Sequence, residues 1–151
     1  MCLRELVLAD VYCLGSLAPL ATCPLLASLS IFATESTAGN LTLDIASLGL
    51  CKAMRTIHVR GFRDIGDVSP LAGHTTLEHM KFEGVERAQN IHQLNSCPSL
   101  TKVTITTMTT VAWCQLVKGL GDTRGFTVIA DPSQLSVCVY RPCPTPTHTA
   151  R

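Results

Sequence analysis

The sequence predicts a stacked-repeat α/β solenoid, and three observations predict it. A Leu-x-x-Leu-x-Leu register returns at a fixed interval, each return has a first half with period two and a second half with period three, and the composition favours small apolar side chains over aromatic ones. Of the 151 residues, 46% are hydrophobic, 15% charged and 5% aromatic, which supplies one compact core and excludes a disordered tail or an acidic activation segment. Twelve Lys and Arg against eleven Asp and Glu give a formal charge of +1, so bulk charge draws the chain neither to nucleic acid nor to a membrane.

The register begins at Leu3, Leu6, Leu8 and recurs as Leu26, Leu29, Ile31 and then Met54, Ile57, Val59. It continues as Leu77, Met80, Phe82, then Leu100, Val103, Ile105, and last as Thr123, Phe126, Val128. Starts are 23, 28, 23, 23 and 23 residues apart, and 17 of the 18 positions are apolar where composition alone gives about eight. Alternation such as Leu6-x-Leu8 or Ile57-x-Val59 is the period of a strand with one buried face.

The second half of each unit steps by three: Leu14, Leu17, Leu20, Cys23, then Ile65, Val68, Leu71, then Ala88, Ile91, Leu94, Cys97, then Val111, Cys114, Val117, Leu120. In the second unit polar Thr42 takes the first slot, ahead of Ile45, Leu48 and Cys51. Steps of three suit a 3₁₀ turn or a short helix with one inward stripe. No single unit buries its own apolar face, so the units must stack.

This pattern resembles the leucine-rich repeat family, in its short, internalin-like branch. The stretch Ile65-Gly66-Asp67-Val68-Ser69-Pro70-Leu71-Ala72-Gly73 followed by Leu77-Glu78-His79-Met80-Lys81-Phe82 is similar to that branch's linker and strand, and Cys23-Pro24-Leu25-Leu26 and Cys97-Pro98-Ser99-Leu100 fit the same register. The resemblance spans about Leu3 to Val128. It implies about six parallel strands on a concave face, short helical or 3₁₀ return segments, and a non-catalytic protein-binding role. The family's Asn or Cys, eight residues after the first Leu, is replaced here by Val11, Thr34, Phe62, Val85 and Met108. Those turns must satisfy their polar groups through neighbouring main chain or water.

Residues 1–130 are expected to form the solenoid and 131–151 a terminal strand or degraded seventh repeat with a Pro/Thr-rich tail. The uncharged run from Val11 to Thr34 has the length of a membrane span or signal core, but Pro19, Pro24 and the repeat register place it as a return segment and strand. Five extra residues around Thr34 to Asn40 read as an enlarged loop. The first strand starts at Leu3 without a polar cap, and stacked repeats need capped ends. The expectation is therefore a piece of a longer repeat protein, or self-association or docking at that edge.

Cys23, Cys51, His74 and Cys97 share one repeat position, three before the next start. Stacked at roughly 4.8 Å per strand, they form a line and cannot converge on one metal ion, so no metal and no cofactor is expected. They read as core filler, with adjacent Cys23 and Cys51 within reach of a disulfide. Thiols bound into a register favour a reducing, cytoplasmic setting. No phosphate-cradling Gly loop, HExxH or nucleophile elbow occurs; a triad of His58, His79 and Asp64 exists only on paper, and no enzyme is expected.

What remains is the strand face pointing away from the core. Its middle gathers His58, Arg60, His79, Lys81, Glu83, Lys102 and Thr104, with Glu83 expected to pair across strands with Arg60. The expected partner is a protein, with an acidic or phosphorylated segment docking on this strip. The alternatives are a substrate-recruiting part of a larger protein, such as one associated with a ubiquitin ligase, and weak RNA binding. The last suffers from a face that offers only Phe32 for stacking.

Overall fold

A computed structural model describes residues 2–12, 14, 16–33, 41–106, 127–131 and 136–140, the last two stretches as backbone alone. Parallel strands alternate with short 3₁₀ turns in a repeat-like α/β arrangement. The strands β1 (Glu5–Val11), β2 (Ser28–Ala33), β4 (Thr56–Arg60), β6 (His79–Glu83) and β8 (Lys102–Thr106) lie side by side and parallel. The register advances one repeat at a time: Leu6 stands beside Leu29, Leu29 beside Ile57, Ile57 beside Met80 and Met80 beside Val103. Each of these points into the core, because alternate strand residues face opposite sides. Leu26, Leu29, Ile31, Met54, Ile57, Val59, Leu77, Phe82 and Leu100 are fully buried there.

The sixth strand departs from expectation. Beside β8 lies β10 (Ser136–Tyr140), running antiparallel, and β9 (Thr127–Asp131) pairs with β10, also antiparallel. The parallel run therefore has five strands, not about six, and the terminal segment contributes a sheet strand that separates the sixth register strand from the fifth. Local periodicity records which face a strand buries and not its order in the sheet.

The returns are 3₁₀ turns: η1 (Ala18–Thr22), η2 (Ala46–Leu50), η3 (Ser69–Leu71) and η4 (Ile91–Ser96). A polar residue two positions ahead holds each of the first three. Ser16 Oγ accepts from the Ala18 N–H at 3.0 Å, Asp44 Oδ1 from Ala46 at 2.9 Å and Asp67 Oδ1 from Ser69 at 2.8 Å. These side chains satisfy donors that a short turn leaves open. In the second unit Thr42 is exposed and Leu43 buried, so the apolar slot lies one residue later than the period of three places it.

A second, three-stranded sheet was not legible in the register: β3 (Leu41–Thr42), β5 (Phe62–Asp67) and β7 (Arg87–Gln89). The chain turns from the first sheet to the second at Gly61 and Gly84, with φ of 84° and 75°, and Asp10, the equivalent position near the end of β1, has φ of 54°. Left-handed backbone favours Gly and tolerates Asp. The residue after the corner is an apolar plug, with Phe62 and Val85 buried and Val11 half-buried. Neighbouring main chain bonds these turns: Gly61 N–H donates to Glu83 O at 3.0 Å, Glu86 N–H to Arg63 O at 2.8 Å and Val85 N–H to Thr106 O at 3.1 Å. Thr34, Met108 and the enlarged loop lie outside the described residues, as do Trp113, the return from Val111 to Leu120 and the Pro/Thr tail. Among the described residues no helix is long and apolar enough to cross a membrane.

Candidate functional site

The outward face of the five parallel strands carries three rows across β2, β4, β6 and β8. One row runs Ser28, Thr56, His79, Lys102; the middle row Ser30, His58, Lys81, Thr104; the third Phe32, Arg60, Glu83, Thr106. Period-two alternation sets which residues appear, and the 23-residue interval aligns them, so every expected site residue lies on one face. His79, Lys81, Lys102 and Arg60 are exposed; His58, Glu83 and Thr104 are half-buried.

An open depression of about 420 Å³ lies across the middle of this face, lined by Thr56, His58, His79, Lys81, Lys102 and Thr104, with the main chain of Ile57 and Met80, whose side chains point into the core, beneath it. Arg60 and Glu83 stand one row away. The contacts of the Glu83 carboxylate reach into the middle row. Glu83 Oε2 meets His58 Nε2 at 3.1 Å and Oε1 accepts from Lys81 Nζ at 2.6 Å, although Arg60 is the residue directly opposite in register. Burial alone pushes the Glu83 carboxyl up, but hydrogen bonds and charge from Lys81 and His58 outweigh it and hold the group below its ordinary value. His58 is further fixed edge-on against Phe32, with ring centroids 4.9 Å apart and planes at 85°. The strip thus carries the basic side chains Arg60, Lys81 and Lys102 beside the Glu83 carboxylate, which orients the middle row.

His79 reaches Thr101 Oγ1 through Nδ1 at 3.3 Å. Asp64, by contrast, is on the second sheet and accepts the Gly66 N–H at 2.8 Å, so the paper triad of His58, His79 and Asp64 is split between two sheets.

The column of Cys23, Cys51, His74 and Cys97 has a role that packing alone did not suggest. Cys51 Sγ donates to Leu20 O at 3.2 Å and Cys97 Sγ to Leu71 O at 3.1 Å, while His74 Nε2 lies 2.9 Å from Cys51 O. Each of these three side chains meets a main-chain carbonyl of the preceding repeat, so Cys51, His74 and Cys97 tie successive turns together. The signal for it was in the sequence: three thiols and one imidazole, all able to donate, at an otherwise apolar position. Cys2, Cys23, Cys51 and Cys97 are free thiols, so Cys23 and Cys51 are not joined. Burial, with the neighbouring Cys23, raises the Cys51 thiol against the opposing pull of Lys52. Burial likewise lowers His74, with Lys52 adding and the Cys51 carbonyl opposing. Among the described residues no group of three His, Cys, Asp or Glu side chains is placed to hold a metal ion.

No protein-family model matches the chain, and no curated protein matches it in sequence.

Proposed function

We propose that the chain is a leucine-rich-repeat-type solenoid that binds a protein partner, without catalysis, on the outward face of its parallel sheet. The observation that supports this reading is the depression over β4, β6 and β8, where the side chains of His58, His79, Lys81, Lys102 and Thr104 stand around a floor of strand main chain. Repeat proteins present extended faces with several side chains per repeat, and this one combines cations with hydroxyl donors. Glu83 belongs to the site as the group that steadies His58 and Lys81, and Arg60 adds a cation at its rim. The complementary ligand is an acidic or phosphorylated segment of a partner, whose carboxylates or phosphates would take charge-assisted bonds from Lys81 and Lys102.

The test replaces Arg60, Lys81 and Lys102 together with Ala and measures binding to an array of acidic and phosphorylated peptides. Exposed substitutions each change stability by no more than about 0.5 kcal/mol, so the variant is expected to stay folded and to lose the peptides that the parent retains. Equal retention by both proteins would remove the face as the binding site.

A further inference from the structure

Resting on the binding face proposed above, we propose that the group it takes is a phosphorylated side chain, a phosphoserine or phosphothreonine of the partner, in preference to a carboxylate. Four residues of β6 and β8 carry the selection. His79 stands directly beside Lys102, and Lys81 directly beside Thr104. Neighbouring strands lie about 4.8 Å apart and alternate residues of one strand about 7 Å apart, so these four are the corners of one small quadrilateral on the outward face. The two lysines occupy one diagonal, and the imidazole and the hydroxyl occupy the other. All four line the same depression. Long side chains on a diagonal come within reach of one another, so a group seated over the middle meets donors from opposite sides.

A carboxylate uses that arrangement poorly, for two reasons. The first is shape and charge: a carboxylate is planar with two oxygens and one charge, whereas a phosphomonoester presents three acceptor oxygens and about −1.5 to −2 charge at pH 7. Those oxygens can be shared among the ammonium groups of Lys81 and Lys102 and the hydroxyl of Thr104, all of them donors. His79 Nδ1 is held at Thr101 Oγ1, 3.3 Å away, which leaves Nε2 for the ligand, and Nε2 donates when the ring is protonated. The second reason is Glu83. Its oxygens already meet His58 Nε2 at 3.1 Å and Lys81 Nζ at 2.6 Å, so the carboxylate's place on this face is filled from within. An incoming carboxylate repeats a bond that Lys81 already makes and meets Glu83 as a like charge. Across the outward face of β2, β4, β6 and β8, Arg60, Lys81 and Lys102 against Glu83 leave two net positive charges with the histidines neutral, the number that a phosphate dianion matches. The depression, at about 420 Å³, has the size of sites that hold ligands much larger than one ion, so the phosphate is one group on a longer segment.

The test measures binding of the full chain, by fluorescence anisotropy, to three degenerate peptide libraries that differ only at a fixed central residue: phosphoserine, glutamate or serine. The parent is expected to bind the phosphoserine library at least about tenfold more tightly than the glutamate library, from the added charge and charge-assisted bonds, and not to bind the serine library. Thr104→Val is expected to weaken phosphoserine binding by about two- to tenfold, the loss of one hydrogen bond, while Thr104→Ser restores it. Glu83→Gln opens the carboxylate's place and is expected to strengthen binding of the glutamate library by about threefold, the effect of one charge at about 7 Å in water. Inorganic phosphate is expected to displace the phosphoserine library only in large molar excess. Equal binding of the phosphoserine and glutamate libraries by the parent overturns the choice of phosphate and leaves the face itself standing as an anion site. Binding of neither library, or binding unchanged when Arg60, Lys81 and Lys102 are replaced together, overturns the face and the choice with it. A Thr104→Val protein that binds phosphoserine as the parent does, glutamate binding unmoved in Glu83→Gln, or displacement by equimolar inorganic phosphate each overturns the choice as well.

Discussion

Replacing Gly49 with Ala tests how tightly the 3₁₀ turns stack. Gly49 lies in η2 (Ala46–Leu50) and faces η3 (Ser69–Leu71), and a Cβ added there would stand 2.3 Å from Pro70 O and 3.0 Å from Pro70 C. The conformation is not the obstacle, because the equivalent positions in other repeats are Ala21, Ala72 and Asn95. Space is. An ordinary contact begins near 3.4 Å, so the two turns must part by about 1.1 Å, and main-chain atoms cannot swing aside as a side-chain tip would. Overpacking of this kind costs about 1–3 kcal/mol, and the stiffer unfolded chain of an Ala variant returns about 0.4–1 kcal/mol. The net loss is about 1–2 kcal/mol, which for a urea slope of about 1–3 kcal/mol per molar lowers the midpoint by about 0.3–2 M. Urea unfolding followed by circular dichroism reads this directly. A midpoint equal to or above the parent's would refute the close approach of η2 and η3.

Two further outcomes follow from the column that ties the turns. His74 has a folded pKa lowered from 6.5, so its contribution to stability is full above that value and is lost as pH falls, where the unfolded chain takes up a proton that the folded chain resists. His74→Cys, the residue this column carries elsewhere, is expected to flatten the fall in urea midpoint between neutral and mildly acidic pH; an unchanged slope would assign that fall to other groups. Native alkylation followed by peptide mass mapping is expected to label exposed Cys2 first, half-buried Cys23 next and buried Cys51 and Cys97 last. Early labelling of Cys51 would mean that its bond to Leu20 O opens readily.

The face of each parallel strand was readable because two periods act together. Alternation decides that His58 and Lys81 point outward while Ile57 and Met80 point inward, and the 23-residue interval makes them neighbours. The second sheet escaped notice because β5 (Phe62–Asp67) mixes Phe62 and Ile65 with Arg63, Asp64, Gly66 and Asp67, a composition shared with turns, and its bulged pairing disrupts simple alternation. The place of β10 beside β8 depends on nonlocal pairing that no local pattern encodes. Glu83 shows a third kind of limit. Register named Arg60 as the residue opposite, but side-chain reach and rotamer directed the carboxylate to diagonal His58 and same-strand Lys81. Only the coordinates distinguish a directly opposed residue from a diagonal one.

The corner at Gly61 and Gly84 also decides where the chain resists extra length. Both halves of a repeat are pinned to their neighbours by a sheet, one before the corner and one after it, so an added residue within either would shift a strand and turn its side chains to the wrong side. The passage from one sheet to the other is itself pinned: a single left-handed residue, Gly61, separates β4 from β5, and its N–H is bonded to Glu83 O, as Val85 N–H is to Thr106 O. For grafting a foreign peptide or a reporter onto this scaffold, the described strands and their corners are the frame to leave at its 23-residue spacing.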